Sequence, residues 1–119
     1  MAAGDVVITA VIPLGVRKRA AYQMIVGTVT LDGGNPTPIT LTNYLDAVDG
    51  AIVTMEGSGA PGADPNLLTH AISAAVVNVY AWKVTTGGAA GNPDLIASTN
   101  NARLAHFVAV GPTKSRMPV

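Results

Sequence analysis

The chain has 119 residues, enough for one domain with one modest core. Hydrophobic residues make up 49% and charged residues 12%, which excludes a disordered, charge-rich tail and is about half the ~25% charge of ordinary soluble domains. Seven basic residues balance seven acidic ones, so there is no basic surplus for non-specific nucleic-acid binding, and the absence of cysteine excludes disulfides, thiolate metal sites and cysteine nucleophiles. Near-zero net charge with few charges favours association over a well-solvated monomer.

Residues 5 to 12 are rich in Val and Ile and predict a first strand. Pro13 lacks a backbone donor and Gly15 is permissive, so that strand is expected to end there. The Arg17-Lys18-Arg19 triplet then forms a basic turn into a second strand over residues 20 to 31. On that strand Tyr22, Met24, Val26 and Thr28 share one face, and Gln23, Ile25, Gly27 and Val29 share the other. Both faces are partly apolar. A sheet with one face free to water alternates more cleanly, so the pattern suits a sandwich or a sheet whose second face meets a partner.

The run from Asp32 to Pro38 is loop by composition. Thr40 or Thr42 is expected to cap a short helix through Asn43, Tyr44 and Leu45. A short strand follows from Ala51 to Met55, then a Gly- and Pro-rich loop from Glu56 to Pro65. Leu67, Leu68, Ala71, Ile72 and Ala75 have helical spacing, whereas Val76 to Val84 is β-branched and aromatic. Two readings of Leu67 to Ile72 stay open: a helix leading into the next strand, or one arm of a hairpin. A second flexible loop spans Thr86 to Asp94, and Arg103 to Val110 is the closing strand, ended by Gly111-Pro112. The whole is read as a single domain over residues 1–119, with flexible termini at 1–4 and 112–119. The fold class expected is all-β: a compact β-sandwich or barrel of about five to seven short strands with at most one or two short helices. No apolar run approaches the ~18 residues of a transmembrane helix, and the N-terminus lacks the basic segment of a signal peptide.

No catalytic or metal constellation emerges. His70 and His106 are too few for zinc without cysteines, and His106, on a strand face with Leu104, Val108 and Val110, is expected to be packed and neutral. Asp46, Asp49 and Glu56 read as solvated loop acids rather than an acid/base pair across a cleft. Asp32, Asn35 and Asp64 lack the spacing of a calcium loop. Gly87 to Gly91 is not followed by the Lys-Ser/Thr of a phosphate loop, and Ser58, Ser73, Ser98 and Ser115 lack a nucleophile-elbow setting. The expectation is therefore a non-enzymatic protein without cofactors. Arg17, Lys18 and Arg19 are read either as a solvated turn or as an electrostatic contact with an acidic partner. Tyr80 and Trp82 share a strand face, with core packing favoured over an aromatic contact patch.

The order of segments is itself informative. GDVVITAV, the basic turn RKRAAY, IVGTVTLD, a Gly-Pro loop and PITLTNYLDAVDGAIV are followed by a Gly-rich loop, NVYAWKVT, a second loop, DLIASTNNARL and HFVAVGP. This order resembles small structural proteins of tailed bacteriophages, of the capsid decoration or cement type, over nearly the whole chain. The resemblance implies a compact β-sandwich in which Leu67 to Ile72 is a strand paired with Val77 to Thr85. It also implies a virion location on the capsid surface, assembly in the host cytoplasm, the major capsid protein as partner, and a homo-oligomer, dimer or trimer. It implies neither a nucleic-acid nor a membrane partner. The loop from Ala60 to Pro65 departs from it by lacking aromatic residues. A tail, neck or head-fibre component, or a small sandwich module for carbohydrate or another ligand, shares the same composition.

Overall fold

A computed structural model describes residues 2–17, 20–56, 65, 67–84 and 95–114. Among these residues the chain is all-β, with eight strands and no helix: β1 (Val6–Arg17), β2 (Ala20–Thr30), β3 (Thr37–Thr40), β4 (Gly50–Met55), β5 (Leu67–Ser73), β6 (Val76–Val84), β7 (Leu95–Ala97) and β8 (Leu104–Pro112). They form two antiparallel sheets. The first has the order β1-β2-β8-β4 and the second β3-β6-β5, with β7 also pairing with β6.

The inner face of the first sheet carries Ile25 and Val29 from β2 and Ala105, Phe107 and Ala109 from β8, all buried. The second sheet meets them with Ile39, Val77, Val79 and Ala81. Alternation puts every second residue of β2, β3, β6 and β8 into this one core. Phe107 is its largest side chain. Gly27 lies opposite it in the β2–β8 register, and a Cβ there would meet the Phe107 ring and the Val7 carbonyl oxygen. A glycine beside the largest ring is how this core fits two closely packed layers.

The segment 41–49 closes one end of the sandwich. It holds β8 through Asp46 N–H to the Pro112 carbonyl and Asp49 N–H to the Val110 carbonyl. It holds the β5–β6 turn through Leu41 N–H to Ala75 and Val48 N–H to Ala74. Leu41, Leu45 and Val48 from this segment are buried in the core. The expected short helix at Asn43 to Leu45 is here a single turn, in which the Tyr44 and Leu45 N–H groups both donate to the Leu41 carbonyl. Burial of Leu41 and Leu45 on the sandwich and their backbone bonds to both sheets leave no room for a longer helix.

β3 and β7 lie on the same edge of β6, against its two halves. Between them, Ala81 N–H donates to the Asn35 side-chain oxygen at 2.7 Å, and Ser98 N–H donates to the Ala81 carbonyl. The ladder is thereby completed where neither strand reaches.

The first strand runs to Arg17 rather than ending at Pro13 and Gly15. Two register irregularities, between Ile8 and Ala10 and between Pro13 and Gly15, absorb those residues, and Gly15 takes a φ of 91°. An edge strand tolerates both, because its outer side has no ladder to interrupt. Leu67–Ser73 is a strand, hairpin-paired with β6 from Leu67↔Trp82 to Ser73↔Val76, which settles the helix-or-strand alternative. At the termini, Gly4 N–H donates to the Thr30 carbonyl, Thr113 N–H to Ala21 and Lys114 N–H to Tyr44.

Candidate interaction surface

The side chains that could carry chemistry are dispersed or already committed to the fold. His106 stands on the outer face of the first sheet, exposed rather than packed, with its Nε2 3.0 Å from Glu56 Oε1. The expected neighbours Leu104, Val108 and Val110 do share its face. They flank it along one strand of an open sheet, so they do not enclose it. His70 is exposed on β5 in the second sheet, whereas His106 is on β8 in the first. Asp46, Asp49 and Glu56 are all exposed. Asp32 Oδ1 accepts from Gly34 N–H at 2.8 Å and from the Thr37 hydroxyl at 2.9 Å, which ties the loop entering β3. Ser73 is exposed at the end of β5, and buried Ser98 accepts from Asn100 N–H at 3.1 Å. No group of three or more metal-ligating side chains occurs among the described residues. Lys18, Arg19, Ser58, Asp64, the Gly87 to Gly91 run and Ser115 lie outside them.

Tyr80 and Trp82 are not core residues. On β6 the core positions are Val77, Val79 and Ala81, so the alternate positions face outward, and both aromatics are half-buried there. Their rings stack with centroids 6.3 Å apart and planes at 14°. The Trp82 indole N–H donates to the Thr69 hydroxyl at 2.9 Å on the neighbouring strand. Sequence spacing correctly put the two rings on one face, but it could not say which face met the other sheet.

The most distinctive surface is the outer face of the first sheet. The register sets its side chains in rows across four strands. Val7, Thr28, His106 and Thr54 form one row. Ala10, Val26, Val108 and Ile52 form the next, and Ile12, Met24, Val110 and Gly50 the one after it. Gly15, Tyr22 and Pro112 continue the face toward the β1–β2 turn. None of these positions carries Asp, Glu, Lys or Arg, and two complete rows are apolar. Val7, Ile12 and Ile52 stand well exposed, Ile52 at 66%. An open trough of about 280 Å³ runs along this face at Gly50, Ala51, Ile52, Val108 and Val110. Gly50 adds no side chain to the trough floor, and a Cβ there would touch nothing within 4 Å. Solvated sheet faces are normally polar, and contiguous apolar patches of several hundred Å² mark contact surfaces.

The β1–β2 hairpin adds apolar surface on the sheet's other side, where Val11 pairs with Ile25 and Val16 with Ala21. Val11, Leu14 and Val16 are exposed, Val16 at 73%, and Arg17 ends β1 beside them. No helix among the described residues is long and apolar enough to cross a membrane. The chain matches no family model, no curated protein sequence and no solved structure.

Proposed function

We propose that this is a non-enzymatic structural protein that works by surface contact, as a capsid decoration protein binding the outside of a phage head. The observation that supports the reading is the outer face of the first sheet, with two complete apolar rows and no Asp, Glu, Lys or Arg at its register positions, together with the exposed apolar side chains of the hairpin. A protein that cements a lattice needs repeated apolar and backbone contacts, and symmetry then multiplies weak ones. In this reading the hairpin end, with Val11, Leu14, Val16 and Arg17, meets the coat, and the sequence-adjacent Lys18 and Arg19 add basic charge for an acidic coat surface. The test is co-sedimentation of the purified protein with emptied capsids lacking decoration. Saturable binding at a simple ratio to coat subunits is expected, with Val16→Asp weakening it. Absence of binding overturns the reading.

A second reading has its own observation. The outward Tyr80–Trp82 stack is the kind of flat aromatic surface on which a sugar ring can lie. A carbohydrate-binding module predicts saturable quenching of the single Trp82 by oligosaccharides, lost in Trp82→Ala, while capsid binding is unaffected.

A further inference from the structure

We propose that the outer face of the β1-β2-β8-β4 sheet is the contact between two copies of this chain, packed face to face about a twofold axis. The inference does not rest on the capsid reading, and concerns the protein in solution.

Three observations favour a second copy as the occupant. The first is charge. A twofold interface sets residue i against j and j against i, so with Ile52 over Gly50 the two apolar rows face each other. The two apolar rows of this face carry no charge, and its polar row of Thr28, His106 and Thr54, with the Glu56 carboxylate beside His106, lies at one end. The second is shape. Ile52 stands out as a knob, 66% exposed, and two residues away on the same strand Gly50 adds no side chain to the floor of an apolar trough. Knob and trough on one patch are what a self-complementary contact requires: antiparallel apposition of β4 with its partner copy seats each Ile52 at the other's Gly50. The third is area. Four strands at about 4.8 Å spacing and rows spanning about 20 Å give a flat footprint of about 400 Å² per copy. Two copies cover about 800 Å² of flat area, and side-chain relief brings the accessible surface buried to about 1,000 Å², where specific interfaces begin. The size fits a reversible dimer rather than an obligate one. The two sheets would pack at about the 10 Å spacing of a sandwich interior.

Gly50 allows an unusually clean test, because added side-chain atoms meet nothing within the chain. Gly50→Val fills the trough and leaves the fold intact, and Ile52→Lys puts a charge on the knob at an exposed site. Sedimentation velocity over a concentration series is expected to show the wild type in monomer–dimer exchange. Each variant should weaken the dimer by about tenfold or more, since each substitution enters the contact twice, with no loss in the thermal melt of the monomer. The chain lacks cysteine, so a spin label on Thr54→Cys reports one defined intermolecular distance in the dimer. A monomer at all concentrations overturns the proposal. So does an oligomer that survives both substitutions, which would place self-association at another surface. If the wild type is monomeric and both variants lose capsid binding, the face belongs to the coat and the proposal fails, while the decoration reading stands.

Discussion

The two faces of the β1-β2-β8-β4 sheet are built from the same strands, residue by residue, and are nearly equally apolar. On the inner face Ile25, Val29 and Phe107 are sealed, Phe107 at 1% exposure. On the outer face Val26, Val108 and Ile52 are open to different degrees. The difference is not in side-chain type. It is made by β3, β6 and the 41–49 segment, which cover one face and not the other. Apolarity therefore identifies surfaces that seek burial, and topology decides which of them the chain can bury by itself.

The sharpest way to break the comparison is truncation on either side of it. Phe107→Ala removes the largest buried side chain and leaves a cavity between two sheets that close-pack, so a loss of about 3–5 kcal/mol is expected. Ile52→Ala, on the adjacent strand but the opposite face, should cost less than about 0.5 kcal/mol in the monomer. Urea denaturation below the concentration of any dimer separates the two. Similar losses for both would mean that the outer face is covered within the monomer, and that the face assignment is wrong.

The glycines sharpen the contrast further, because they predict effects of opposite sign. Gly27 faces the core, where a Cβ would meet the Val7 carbonyl oxygen and the Phe107 ring. Gly27→Ala overpacks that layer and should destabilise by about 1–3 kcal/mol. Gly50 faces open space in a strand, so Gly50→Ala should stabilise by about 0.4–1 kcal/mol through a less flexible unfolded chain. The measurement is the paired shift in denaturation midpoint, downward for Gly27→Ala and upward for Gly50→Ala.

The same contrast explains what could be read from the residues alone. The all-β class and the paired faces of β2 were legible, because Tyr22 to Val29 alternates and every second residue does face one sheet side. That both faces were apolar was also legible, and it pointed to a sandwich or a covered sheet. What could not be read was anything decided by a neighbour. β5 has most positions exposed on both of its faces, so it carries no period of two, and Leu67, Leu68, Ala71 and Ile72 fit a helix as well as a strand. β3 and β7 have only four and three residues and exist by pairing with β6; Pro38 and the preceding loop residues mask the first of them. Tyr80 and Trp82 look like core by composition, and only the second sheet's orientation turns them outward. His106 shares a face with Leu104, Val108 and Val110, as its spacing predicts, but no second sheet covers that face, so it is exposed rather than packed.

His106 gives the smallest expected effect and tests the character of the outer face at its polar end. Its ring nitrogen lies 3.0 Å from Glu56 Oε1, but the two side chains are 51% and 55% exposed. Water and salt compete with such a pair, and measured values for exposed pairs lie near 0–1 kcal/mol. His106→Ala should therefore change monomer stability by less than about 1 kcal/mol, and less still in high salt. Its informative partner is His106→Leu, which extends the apolar rows into the one polar row beside them. If water normally covers that row, the leucine is nearly neutral in the monomer and strengthens self-association, seen as a sedimentation shift at lower protein concentration. If the Glu56 contact instead anchors the end of β4, both variants lose stability together by more than 1 kcal/mol, and the polar row belongs to the fold rather than to the rim of a contact surface.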